Sequence, residues 1–95
     1  METRDKVQDI EKEEIQFLHF PKDEVLDNKR DKKMRNLTLK RALSLGNLEH
    51  VKVKIIFADE EGVKKVETTI WGITDKVVIL KRSVVIPLER IISIS

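Results

Sequence analysis

The chain has 95 residues, 38% charged and 40% hydrophobic, with a net charge of +2. That length allows one domain with one modest core, since a chain of this size buries roughly 60–70% of its unfolded surface. There is no cysteine, which excludes disulfides, thiolate metal sites and thiol nucleophiles.

The N-terminal stretch METRDKVQDIEKEE has no apolar run of the secretory kind. No segment approaches the ~20 apolar residues of a membrane span. A cytoplasmic location with no membrane partner is therefore expected. Charge is uneven along the chain: residues 1–24 carry −4, residues 25–45 carry +5 and residues 46–95 carry +1.

Residues 1–36 read as a charged N-terminal extension, partly helical or flexible. Residues 37–95 read as a helix plus a small β-barrel. Met1 to Glu14 is polar, and segments this polar bury too little to offset ordering entropy. Ile15 to Phe20 is dense in large apolar groups and reads as a short strand or as the apolar end of a helix begun near Thr3. The weight falls on helix first, then extended chain near Phe20. Pro21 forces Phe20 towards extended geometry. It also suits the first position of a second helix, with Asp23 and Glu24 in the opening turn.

Lys29, Arg30, Lys32, Lys33 and Arg35 form a basic cluster with few apolar neighbours, either a solvated helix or a mobile linker. Asn36 or Thr38 caps the next helix, in which Leu39, Ala42 and Leu43 share one face. Gly46-Asn47 is expected to stop that helix.

Val51 to Ile73 alternates apolar and charged residues around Asp59-Glu60-Glu61-Gly62, which reads as a β-hairpin. Acidic residues suit a type I turn, and Gly62 accepts a positive φ. A four-residue loop pairs Ala58 with Val63, Ile55 with Val66, Val53 with Thr68 and Val51 with Ile70. Lys54 then faces Glu67, and Lys52 faces Thr69. A one-residue slip would set Ile55 against Glu67 and invert a whole face. The same register places His50 beside Trp71 on the outer face. Trp71 is expected to be covered by another element, the N-terminal helix foremost, because large aromatics are usually mostly buried. The other reading is an exposed aromatic platform.

Gly72 permits a bend or bulge, and Thr74-Asp75-Lys76 is a turn. Val77 to Leu80 is a strand apolar on both faces. Val84 to Ile86 is the fourth strand, Leu88-Glu89-Arg90 one 3₁₀ turn, and Ile91 to Ile94 the fifth strand. The expected class is α+β, mainly β. Helical segments precede a five-stranded antiparallel barrel.

From Leu39 onward this layout resembles the SH3-like and Sm-like small barrels. The resemblance is carried by Ile86-Pro87-Leu88-Glu89-Arg90-Ile91 and by the bent second strand around Gly72. The helix directly before the first strand suits the Sm-like variety. The phrases Arg41-Ala42-Leu43 to Asn47, Val53 to Phe57 and Glu67 to Trp71 are also similar to a family of small bacterial proteins of unassigned function. The Sm nucleotide-binding pattern is not matched. Asp75 lies in a turn but the expected Asn is missing, and Arg82-Ser83 lacks the Gly. No Sm site is carried over.

His19 and His50 lie apart and neither has a ligand-like neighbour three to five residues on. The acidic turn lacks the longer alternation of a calcium loop. No serine sits in a nucleophile elbow, and no glycine-rich phosphate loop exists. Neither catalysis, a metal nor a cofactor is expected. The basic stretch reads first as a solvated face or linker, and second as a surface that meets phosphates through counterion release. The candidate binding residues are Lys29, Arg30, Lys32, Lys33, Arg35, Lys40, Arg41, His50 and Trp71. The expected function is a non-catalytic binding or assembly module acting through protein contacts, self-association included. The alternative is an RNA- or DNA-binding barrel that uses Lys29 to Arg41.

Overall fold

Thr69 is the corner on which the architecture turns. The chain runs into it as strand β3 (Val63–Thr68) and leaves it as β4 (Ile70–Ile73). These two strands lie in different sheets. The first sheet has the order β1 (Gln8–Asp9), β3, β2 (Val53–Ala58), β7 (Ile91–Ile94); the second has the order β4, β5 (Val77–Leu80), β6 (Val85–Pro87). One long helix, α1 (Lys29–Glu49), packs against β4 and β7. The computed structural model describes residues 7–95.

The molecule is thus α+β and mainly β. In place of a closed five-stranded barrel, the described residues form two sheets, of four and three strands, whose ladders do not join into a ring. The single expected second strand is split because Thr69 is buried and its carbonyl accepts from Lys81 N at 3.1 Å. That bond draws the backbone out of the first ladder and over to the turn after β5.

The hairpin has the expected register. Ala58 pairs with Val63, Ile55 with Val66, Lys54 with Glu67 and Val53 with Thr68. The ladder ends there, so the further pairs Lys52–Thr69, Val51–Ile70 and His50–Trp71 do not form. Gly62 has a φ of 151°. Beyond the corner, the register of β4 on β5 shifts between Ile70 and Gly72, which leaves Trp71 as the extra residue of a bulge. Trp71 is 49% exposed, so no described element covers it as expected. The 3₁₀ turn Leu88–Arg90 redirects the chain into β7, which returns to pair with β2.

The N-terminal part differs from expectation. Of the helix expected to begin near Thr3, residues 1–6 lie outside the described region. The described part is a two-residue strand, β1, parallel to β3, followed by a 3₁₀ segment (Lys12–Phe17). Burial of Ile10 and Ile15 fixes this path, because both join the core built by Ile55, Phe57, Val66, Ile70, Val78, Leu80, Ile86 and Ile91. The chain is extended after Phe17, as expected, and Phe20 stacks at a tilt on Phe57 with centroids 5.9 Å apart. No helix starts at Pro21; residues 21–28 run as an irregular strap with bends at Lys22, Asp23, Val25 and Asn28.

The helix also has different limits. It begins at Lys29, where Asn28 Oδ1 accepts from Asp31 N at 2.8 Å and caps the first turn. It passes through Gly46 and ends at Glu49, with His50 in the left-handed conformation as its cap. Gly46 is there for proximity, not for termination. A Cβ at this position would stand 2.5 Å from the Ile70 carbonyl oxygen. Only glycine lets the helix rest on the corner between β3 and β4.

Candidate functional site

The basic stretch is one side of α1. At about 100° of rotation per residue, Lys29, Arg30, Lys33, Lys40 and Arg41 fall within about 120° of the helix circumference. All five are exposed. The helix carboxylates, Asp31 and Glu49, lie on a different flank by the same geometry. Lys32 is half-buried.

Arg35 belongs to the inner face. It is 7% exposed, and its two terminal nitrogens each meet one oxygen of Glu24 at 2.7 Å. Nη1 also donates to the Ile91 carbonyl at 3.0 Å. Its Nε–H has no acceptor among the described residues. The Arg35 hydrogen bonds hold the Glu24 carboxyl below the usual carboxylate range; partial burial opposes this, and the Leu26 N–H and the nearby positive charges reinforce it. Arg35 is therefore a tie between helix, strap and β7, and it is not available to an external ligand.

A second buried arginine mirrors it. Arg90 donates to the Ala58 carbonyl at 2.9 Å and to the Asp23 carbonyl at 2.9 Å. Two arginines on different elements thus clamp neighbouring residues of the strap, and Val25 N adds a bond to the Glu89 carbonyl at 2.9 Å.

Of the acidic turn only Asp59 is internal; Glu60 and Glu61 are exposed. Asp59 accepts from Glu61 N and Gly62 N, and Lys64 Nζ lies 2.9 Å from its carboxylate. Both side chains are buried, at 1% and 6% exposure. Burial pushes the Asp59 pKa up, but the Lys64 hydrogen bonds, the two backbone N–H groups and the Lys64 charge outweigh it, and the net shift is downwards. Lys64 shares the inward parity of Val66 and Thr68 on β3, a signal the sequence does contain.

His50 and Trp71, expected side by side, are not brought together by the ladder. His50 is exposed at the helix end, its N–H donating to the Gly46 carbonyl at 3.0 Å. Trp71 stands on the bulge of β4.

The feature missed from sequence is apolar. Met34, Leu37, Leu45 and Leu48 are 55%, 50%, 42% and 81% exposed. With Arg41 they fall within about 80° of the helix circumference, on the opposite side from Arg35, Leu39, Ala42 and Gly46. Leu37, Lys40, Arg41, Ser44 and Leu45 line a shallow depression in the middle of this stripe. The helix therefore has two apolar faces, one docked on the sheets and one facing solvent.

No described helix is long and apolar enough to cross a membrane. Among the described residues no cluster of His, Asp and Glu is placed to hold a metal. Comparison of the chain with family models, curated proteins and solved structures returns no match.

Proposed function

We propose that this chain is a non-catalytic protein-interaction module and that the solvent face of α1 is its principal contact surface. The observation that carries this reading is the exposed stripe of Met34, Leu37, Leu45 and Leu48. Contiguous apolar side chains on one surface mark contact sites more often than scattered ones do. The scaffold behind it is read as an open, two-sheet variant of the SH3-like or Sm-like small barrels, acting in the cytoplasm. The bent β3–β4 pair, the 3₁₀ turn before β7 and the return of β7 to β2 support that reading.

Photo-crosslinking in the protein's own cells tests it. A benzophenone amino acid is placed at position 37 or 48 on α1, and at position 17 or 85, which are exposed apolar sites elsewhere. The expected result is a discrete adduct with a polypeptide that the purified, identified partner reproduces. No site-specific adduct at any of the four positions, or adducts with nucleic acid alone, would overturn the reading.

A second reading rests on the five exposed cations of α1, which suit a phosphate backbone. It requires binding at low salt that weakens with a logarithmic slope of about −0.7 to −0.9 per neutralised phosphate. A fluorescence titration with single- and double-stranded oligonucleotides measures this directly.

A further inference from the structure

The exposed stripe of α1 has the form of a coiled-coil seam rather than of a general apolar surface. Met34, Leu37, Arg41, Ser44 and Leu48 recur at alternating spacings of three and four residues, with Leu45 beside Ser44. Its apolar members and Arg41 fall within about 80° of the circumference, and Ser44 extends the seam to about 100°. It runs for about 21 Å along the axis, the length of four helical turns.

Arg41 sits at its centre, and no carboxylate among the described residues is bonded to it. That position decides what can dock. In a parallel pair of identical helices, Arg41 faces Arg41. In a two-fold antiparallel pair that sets Met34 opposite Leu48 and Leu37 opposite Leu45, Arg41 again faces Arg41. Either arrangement buries two like charges against each other, and Lys33 and Lys40 add repulsion on one flank. In the antiparallel register that sets Leu37 opposite Leu48, Arg41 instead faces Ser44, and its charge is buried without a carboxylate. In none of these pairings does a second copy supply Arg41 with a counter-charge. What complements it is a different helix with apolar residues at the same spacing, a carboxylate at the position facing Arg41, and acidic residues along the flank beside Lys33 and Lys40.

We infer that the solvent face of α1 docks an acidic amphipathic helix of another protein, with Arg41 as the residue that selects it. This rests on the reading of the chain as a protein-interaction module and specifies the partner's chemistry.

The test uses the full chain and two isomeric synthetic peptides of three heptads. Both carry leucine at the seam positions and glutamate on the flanks. In one, the central seam position is Glu and an outward-facing position is Lys; in the other, these two residues are exchanged, so total charge is the same. Fluorescence anisotropy is expected to show the Glu-centred peptide binding at least about tenfold more tightly. Arg41→Glu should reverse that preference, Lys40→Glu should leave it in place, and Leu48→Asp should weaken both peptides. Equal affinities, or a preference unmoved by Arg41→Glu, would overturn the inference.

So would two other outcomes. One is binding to vesicles of phosphatidylserine and phosphatidylcholine that is lost in Leu48→Asp while neither peptide binds. The other is a concentration-dependent dimer in sedimentation that Leu48→Asp dissociates. Crosslinks in cells from positions 17 or 85 but never from 37 or 48 would overturn this inference and the choice of α1 as the contact surface, and leave intact only the reading of the chain as a protein-interaction module.

Discussion

The two faces of α1 carry the same ingredients and meet different surroundings. On the inner face, Arg35 lies among Leu39, Ala42 and Gly46, and the chain supplies it with a carboxylate from the strap and a carbonyl from β7. On the outer face, Arg41 lies among Met34, Leu37, Leu45 and Leu48, and no described residue plays the part of Glu24. A cation within an apolar seam is stable when its partners are fixed beside it, and costly when they are removed after burial. The inner face shows what a completed contact looks like in this molecule. The outer face has the first half of one. Completed buried contacts, those of the hairpin turn as well as those beneath α1, should be fragile to substitution, and the outer face of α1 tolerant.

Asp59→Asn should do the greatest damage. It leaves the buried Lys64 ammonium with only the exposed Glu61 carboxylate at 3.6 Å, and breaking a buried pair on one side costs about 3–5 kcal/mol. Urea unfolding of the variant should show a correspondingly lower midpoint. The double variant Asp59→Asn, Lys64→Met should recover much of the loss, because no uncompensated charge remains. A single variant as stable as the parent would show that Lys64 reaches water or that Glu61 takes over its charge.

Acid should act on the same inner contacts. Asp59 and Glu24 both have folded-state pKa values below the ordinary carboxylate range, so the unfolded chain takes up their protons first. Their contribution is complete above the unfolded carboxylate value of about 4 and is lost as pH falls through the lower folded values. Stability measured from neutrality into acid should hold steady and then fall. In Glu24→Gln the acid slope should be shallower, since the proton linked to Glu24 is gone. An unchanged slope would mean that the Arg35–Glu24 contact is not maintained in solution.

Gly46→Ala should come next. The added Cβ meets a backbone carbonyl at 2.5 Å and Thr69 Cγ2 at 3.1 Å, so the helix must lift from the corner. Overpacking of this kind costs about 1–3 kcal/mol, and the better helix propensity of Ala offsets about 1 kcal/mol of it. Thermal unfolding should therefore occur at lower temperature in the variant. A gain in stability would show that α1 does not sit on Thr69 and Ile70.

What could be read from the chain follows from what kind of signal each element leaves. The hairpin register was legible, because Lys54 and Glu67 outside and Ile55 and Val66 inside agree on one alignment. Later strands and the turn at Leu88–Arg90 were legible for the same reason: apolar runs with marked stops. The helix limits were not, because its inner face starts with an arginine and ends with a glycine, neither of which reads as core. The strap was missed because its two anchors, Asp23 and Glu24, are held by arginines outside it: Arg90, 67 residues on, and Arg35, 11 residues on and within the helix. The outer stripe was hidden by the lysines and arginines between its apolar members, though Arg41 was singled out for its charge. The corner at Thr69 depends on one bond to Lys81 N, and alternation continues across it without a mark.

The smallest effect on stability is expected where the comparison matters most. Replacing Met34, Leu37, Leu45 or Leu48 singly by Gln should shift unfolding by no more than about 0.5 kcal/mol, the range of surface substitutions away from packed contacts. Leu45, the least exposed of the four at 42%, should lose the most, and Leu48, at 81%, the least. Burial contributes about 25 cal/mol per Å² of apolar surface, and Leu48 buries little of its own. A sizeable drop in melting temperature for Leu48→Gln in the isolated chain would mean that this face is covered in solution by the chain itself or by a second copy. The contrast between the two faces of α1 would then disappear. A neutral result, together with weakened binding of the Glu-centred peptide, separates a surface kept for a partner from one that holds the fold together.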